Sequence, residues 1–73
     1  MNVAVVSEYV ALCEQLTAPD SSLDPATEER LYARLDQLWY LEMSGEDREV
    51  AEGRLSAAAR ADHDDRRREE IDV

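Results

Sequence analysis

The stretch Leu31-Tyr32-Ala33-Arg34-Leu35-Asp36-Gln37-Leu38-Trp39-Tyr40-Leu41-Glu42-Met43 decides the fold. Leu31, Leu35 and Leu38 recur at helical spacing with Glu42 next on the line, and Tyr32, Leu35, Trp39 and Met43 follow an adjacent line. No other segment is as strongly amphipathic. Trp39 and Tyr40 are neighbours, about 100° apart on a helix, so one narrow seam cannot hold both. Leu41 lies on a third side. A helix that is apolar nearly all round must be buried nearly all round. The rest of the chain, or another chain, has to cover it.

Working toward the N-terminus, Asp24-Pro25 reads as a helix N-cap followed by proline at the first helical position, where its missing N–H costs nothing. Glu28 and Glu29 then sit where the helix dipole favours negative charge. Residues 18–24 form a connection rich in turn residues. Before it, Val5, Tyr9, Leu12 and Leu16 make the seam of a first helix over residues 3–17, with Val6, Val10 and Cys13 as a flanking stripe. Val3, Val5 and Val6 also suit a strand. No second strand exists to pair with them, so helix is preferred.

Toward the C-terminus, Ser44-Gly45-Glu46-Asp47 marks a boundary, with Ser44 placed to cap the amides that follow. A third helix over residues 45–61 carries Val50, Ala51, Leu55, Ala58 and Ala61, and its apolar face is thin. Gly53 and the Ala57-Ala58-Ala59 run would let a neighbouring backbone approach closely. Alanine's high helix propensity explains the run more simply. From Asp62 onward apolar content nearly vanishes, and the opposite-charge pairs Asp62–Arg66, Asp64–Arg68 and Arg66–Glu70 contribute about 0.2–0.5 kcal/mol each if helical. Such a segment adds little to a core. The expected fold is all-α: a helical hairpin or three-helix unit over residues 1–61, with residues 62–73 as a charged helical extension or disordered tail.

Size and charge limit the function classes. The sequence has 73 residues, 18 acidic against 8 basic, for a net charge of −10. A chain this short buries only about 60% of its unfolded surface, so deep clefts are hard to build. Its 44% hydrophobic content is too high for complete disorder. Direct nucleic-acid binding needs clustered positive charge, which a pI near 4.3 does not offer. No stretch approaches the ~20 apolar residues of a membrane span. The N-terminal segment lacks the basic start of a signal peptide, and the single Cys13 fits a reducing compartment. A cytoplasmic location is the expectation.

Candidate chemistry is sparse. Asp62-His63-Asp64-Asp65 contains metal-ligand types, but His63 finds Arg60, Arg66 and Arg67 at helical spacing, and cations oppose a metal. Cys13 has no basic neighbour and reads as a small core residue. Carboxylate pairs such as Glu28 with Glu29, or Glu49 with Glu52, occur in any acidic helix, and a glycosidase-type pair needs a cleft. The expectation is no enzyme, no cofactor and no metal.

Tyr32, Leu38, Trp39, Tyr40, Leu41 and Met43 are the candidate interface, being of types enriched where proteins associate. Residues 35–48, a Leu-Trp-Tyr-x-Met-like helix end followed by an acidic capping turn, resemble a pattern in small uncharacterised bacterial proteins. That resemblance carries no activity and no functional residue. The expected function is a small acidic interaction module (adaptor, regulator or inhibitor) that binds a protein partner or itself as a homo-oligomer, without touching nucleic acid or membrane. The alternative is an inhibitor that mimics nucleic acid, with Glu8, Glu14, Asp20, Asp24, Glu28, Glu29 and Asp36 supplying some of the required carboxylates.

Overall fold

The computed structural model describes residues 1–20 and 22–71, the side chains of 69–71 excepted; Ser21 and the last two residues of the tail lie outside it. The fold is all-α. Helix α1 spans Val3–Thr17, α2 Pro25–Gln37, α3 Gly45–Arg54 and α4 Ala57–Ile71, and a turn of π-helix, Leu38–Glu42, continues α2. Helix α1 is central, lying against α2, the π-turn, α3 and α4.

The helix starts follow the local chemistry. The side chain of Asn2 accepts from the Val5 amide at 3.3 Å and begins α1, so the valine cluster is helical. Asp24 is the N-cap of α2 with Pro25 at the first helical position, and the Thr27 hydroxyl donates to the Asp24 carboxylate. Ser44 and Asp47 form a reciprocal capping box at α3: the Asp47 amide donates to Ser44 Oγ, and the Ser44 amide donates to Asp47 Oδ2, each at 3.2 Å.

Three expectations change. The seam of α1 is Val6, Tyr9 and Cys13, whereas Val5, Leu12 and Leu16 are half-buried beside it. The shift follows from α4, which packs on the Tyr9 side. The expected helix over 45–61 is two helices. Leu55 is extended, the Ser56 amide donates to Glu14 Oε1 at 2.8 Å, and Ser56 Oγ accepts from the Ala59 amide at 3.2 Å to cap a new start. Gly53 makes no close approach, since a Cβ there would meet nothing within 4 Å.

The third change is the largest. The charged segment is not an appendage: residues 57–71 form one helix, and Ala59, His63 and Arg67 along it are buried at 1%, 5% and 9% exposure. Their spacing of four places them on one face. The boundary expected between residues 61 and 62 therefore falls inside a packed helix. The core it closes consists of Val6, Tyr9, Cys13, Leu35, Leu38, Met43, Ala51 and Ala59. Full burial of Val6 and Leu38 contributes about 1.5–3 kcal/mol each.

Candidate partner surface

The π-turn determines which apolar residues of 31–43 reach the surface. The Met43 amide donates to the Leu38 carbonyl at 2.8 Å, five residues back, where an α-helix would have used Glu42. The extra residue brings Met43 inward beneath Leu38 and turns Glu42 outward. Glu42 then accepts from Arg34 at 3.0 Å, and the same guanidinium binds Glu8 at 2.7 and 2.9 Å. That Arg34 hydrogen bond holds the Glu8 carboxyl below the ordinary carboxylate range.

The six candidate interface residues separate accordingly. Leu38 is fully buried and Met43 nearly so, which removes both from any partner surface. Trp39 is half-buried, in contact with Tyr9 at 5.4 Å and, edge-on, with His63 at 4.9 Å between ring centroids. The guanidiniums of Arg48 and Arg67 stand 5.1 and 4.9 Å from its ring. Tyr32 is half-buried with Arg66 at 4.3 Å from its ring. Tyr40 keeps 48% of its surface exposed although its hydroxyl accepts from Arg67 at 3.3 Å, and Leu41 is 78% exposed. The candidate surface reduces to Leu41 with one side of Tyr40.

This apolar tip is held rigidly from behind. The carbonyl of Trp39, near the end of its helix, accepts from Nε of Arg48 at 2.8 Å and from a second nitrogen of the same guanidinium. An arginine from α3 thus caps α2, supplying donors that helix C-termini lack. Asp47, next to Arg48, also accepts from the Asn2 amide at 2.9 Å, tying the start of α1 to the start of α3. The two backbone donors, from Asn2 first and Ser44 second, keep the Asp47 carboxyl below its usual range.

Electrostatically, the arginines divide. Arg48, Arg66 and Arg67 are turned toward groups within the fold and Arg34 pairs with Glu8 and Glu42 at the surface, while Arg30, Arg54, Arg60 and Arg68 are exposed. Carboxylates at Asp20, Glu28, Glu29, Glu46, Glu49, Asp62 and Asp65 face solvent. The outer surface is therefore predominantly acidic. His63 points inward, away from Asp62 and Asp65, with Asp64 Oδ1 3.5 Å from its Nδ1 and no hydrogen-bond partner for either ring nitrogen among the described residues. No three potential metal ligands gather among the described residues. Burial pushes the Cys13 thiol up to about 11, which makes it a poor nucleophile.

Sequence reasoning missed Arg48, His63, Arg66 and Arg67 as structural partners of the aromatic helix. The available signal was the Ala59, His63, Arg67 line at intervals of four, opposite three aromatic residues in need of cover. Comparison with family models, with curated proteins and with solved structures finds no match.

Proposed function

We propose that the chain is a small non-enzymatic interaction module of the cytoplasm, docking a basic partner protein through Leu41 and Tyr40. The carrying observation is that Leu41 stands 78% exposed on a turn whose backbone is capped by Arg48. A large apolar side chain held out of a fixed backbone loses little entropy on binding. The exposed carboxylates steer a basic partner toward it and give the encounter its salt dependence. No described helix is long and apolar enough to cross a membrane, which fits action on a protein.

The test is affinity capture with the wild-type chain and with Leu41→Asp. The expected result is a basic protein captured by the wild type, released by salt, and lost with a variant that keeps its helicity. Capture that survives Leu41→Asp would overturn the reading. Exposed carboxylates outnumber the exposed arginines Arg30, Arg54, Arg60 and Arg68, which also favours a second reading as a nucleic-acid mimic. In that case duplex DNA competes with the chain for its partner, and Leu41→Asp has little effect.

A further inference from the structure

We infer that helix α4 exchanges between two copies of this chain, forming a domain-swapped dimer by straightening at Leu55–Ser56. The connection between α3 and α4 is only these two residues and contains neither glycine nor proline. A link this short leaves little slack for α4 to fold back, a condition that favours exchange between copies. The sequence after the bend prefers helix through Ala57, Ala58, Ala59 and Ala61, and α3 before it already runs helical through Gly53.

The bend is held by the Ser56 cap of the Ala59 amide, by the bond from the Ser56 amide to Glu14 on α1, and by Leu55 packed against the core. If Leu55 and Ser56 turn helical, α3 and α4 fuse into one helix from 45 to 71, about 40 Å long at 1.5 Å per residue. The folded body measures 32 Å along its longest axis, so α4 then projects away from its own seat. Straightening exchanges the Leu55 amide's bond to the Glu52 carbonyl and the Ser56 amide's bond to Glu14 for bonds one turn back, and gives the first amides of α4 the helical acceptors that a helix start lacks.

The seat α4 leaves identifies its occupant. It presents Asp36, which takes Arg66 at 3.0 Å and Arg67 at 3.2 Å, and the Tyr9 hydroxyl, which takes Arg67 at 3.1 Å. It also presents Trp39, against whose ring His63 packs edge-on. A second copy of this chain carries this set of complementary groups at the same spacing on one helix. The net charge of −10 disfavours other self-contacts, but the exchanged contact is itself one of opposite charges. This dimer uses a surface distinct from Leu41, so its outcome is separable from that of the proposed docking.

The experiment compares full-length variants refolded at high and low protein concentration, read by light scattering after size separation. Ser56→Ala removes a cap that only the bent form uses. It is expected to raise the dimerisation constant roughly fivefold for each protomer, about twenty-five-fold in all. Ala57→Pro places proline at the first position of α4, where the bent form tolerates it and the fused helix does not, and is expected to abolish the dimer. Three glycines inserted between Leu55 and Ser56 provide a second test should Ala57→Pro lose helicity, and the dimer is again expected to vanish. Dimer that persists undiminished in both hinge variants, or that fails to form in the wild type and Ser56→Ala alike, would overturn the inference. Leu41→Asp is expected to leave the dimer unchanged, and a dimer abolished by it would mean surface contact instead of exchange.

Discussion

The guanidinium of Arg67 donates to the phenol oxygen of Tyr9 at 3.1 Å, across 58 residues of sequence. The same side chain reaches Asp36 Oδ1 at 3.2 Å and the Tyr40 hydroxyl at 3.3 Å, and stands 4.9 Å from the Trp39 ring. One arginine therefore joins the first helix, the second, the π-turn and the last. A guanidinium suits this position because its planar fork donates in several directions while its face stacks on an aromatic ring.

Replacing Arg67 with Ala is expected to destabilise the chain by about 2–3 kcal/mol, because Tyr9, Asp36 and Tyr40 each lose a donor and Trp39 loses the guanidinium beside its ring. Arg67→Lys should recover only a part, since an ammonium cannot reproduce the fork. Urea denaturation followed by circular dichroism measures both. A lysine variant as stable as wild type would show that charge alone matters there.

Alkaline pH should weaken the fold through two residues of α1. Burial pushes the Tyr9 phenol from 10 to about 12, against the opposing pull of Arg67, and pushes the Cys13 thiol from 9 to about 11. Both folded values lie above the unfolded ones. Their stabilising contribution is complete below about pH 9 and is lost as pH rises toward 12. The urea midpoint should fall through this window, and the fall should be shallower in Tyr9→Phe and Cys13→Ala. Absorbance at the phenolate band should show two of the three tyrosines, Tyr9 and Tyr32, both raised chiefly by burial, ionising later than they do in the unfolded chain.

On the acid side the signs reverse. Asp47, bound by the Asn2 and Ser44 amides, and Glu8, bound by Arg34, both have carboxyls held below their usual range. Their contribution is complete above the unfolded carboxyl values, about 4, and is lost as pH falls through the lower folded ones. Asp47→Asn should flatten the loss of stability between pH 5 and pH 2 (about the carboxyl range). An unchanged acid slope would mean that the ionisation of Asp47 contributes nothing to the acid loss.

Much of the fold was legible because local chemistry dictates it. Asp24-Pro25 marks a helix start through the fixed φ of proline, and Ser44-Gly45-Glu46-Asp47 through hydrogen bonds within a few residues, and the structure places starts at both. The cover of the aromatic helix was not legible. Arginine and histidine are ordinarily solvent groups, and their burial here depends on Tyr9, Trp39 and Asp36, which are remote in sequence. The bend at Ser56 was hidden for the same reason, since Glu14, which binds its amide, lies 42 residues away. The candidate surface shrank because the π-turn altered the helical register by one residue, a deviation that helical periodicity cannot express.

That altered register makes a ranking of the positions 38, 41, 42 and 43 testable. With Met43 bonded back to Leu38, Leu38 and Met43 face the core, while Leu41 and Glu42 face outward. Leu38→Ala is expected to cost about 2–5 kcal/mol and Met43→Ala about 2 kcal/mol or more, since both open cavities. Leu41→Ala should change stability by less than about 0.5 kcal/mol despite removing as many carbons as Leu38→Ala. Glu42→Ala loses only an exposed ion pair with Arg34, worth about 0.2–1 kcal/mol. In an uninterrupted α-helix Glu42 would stand one turn after Leu38 on its buried line, and Met43 would lie off it. A chemical-denaturation series in which Met43→Ala proves milder than Glu42→Ala would therefore rule out the π-turn, and with it the outward placement of Leu41 on which the docking surface depends.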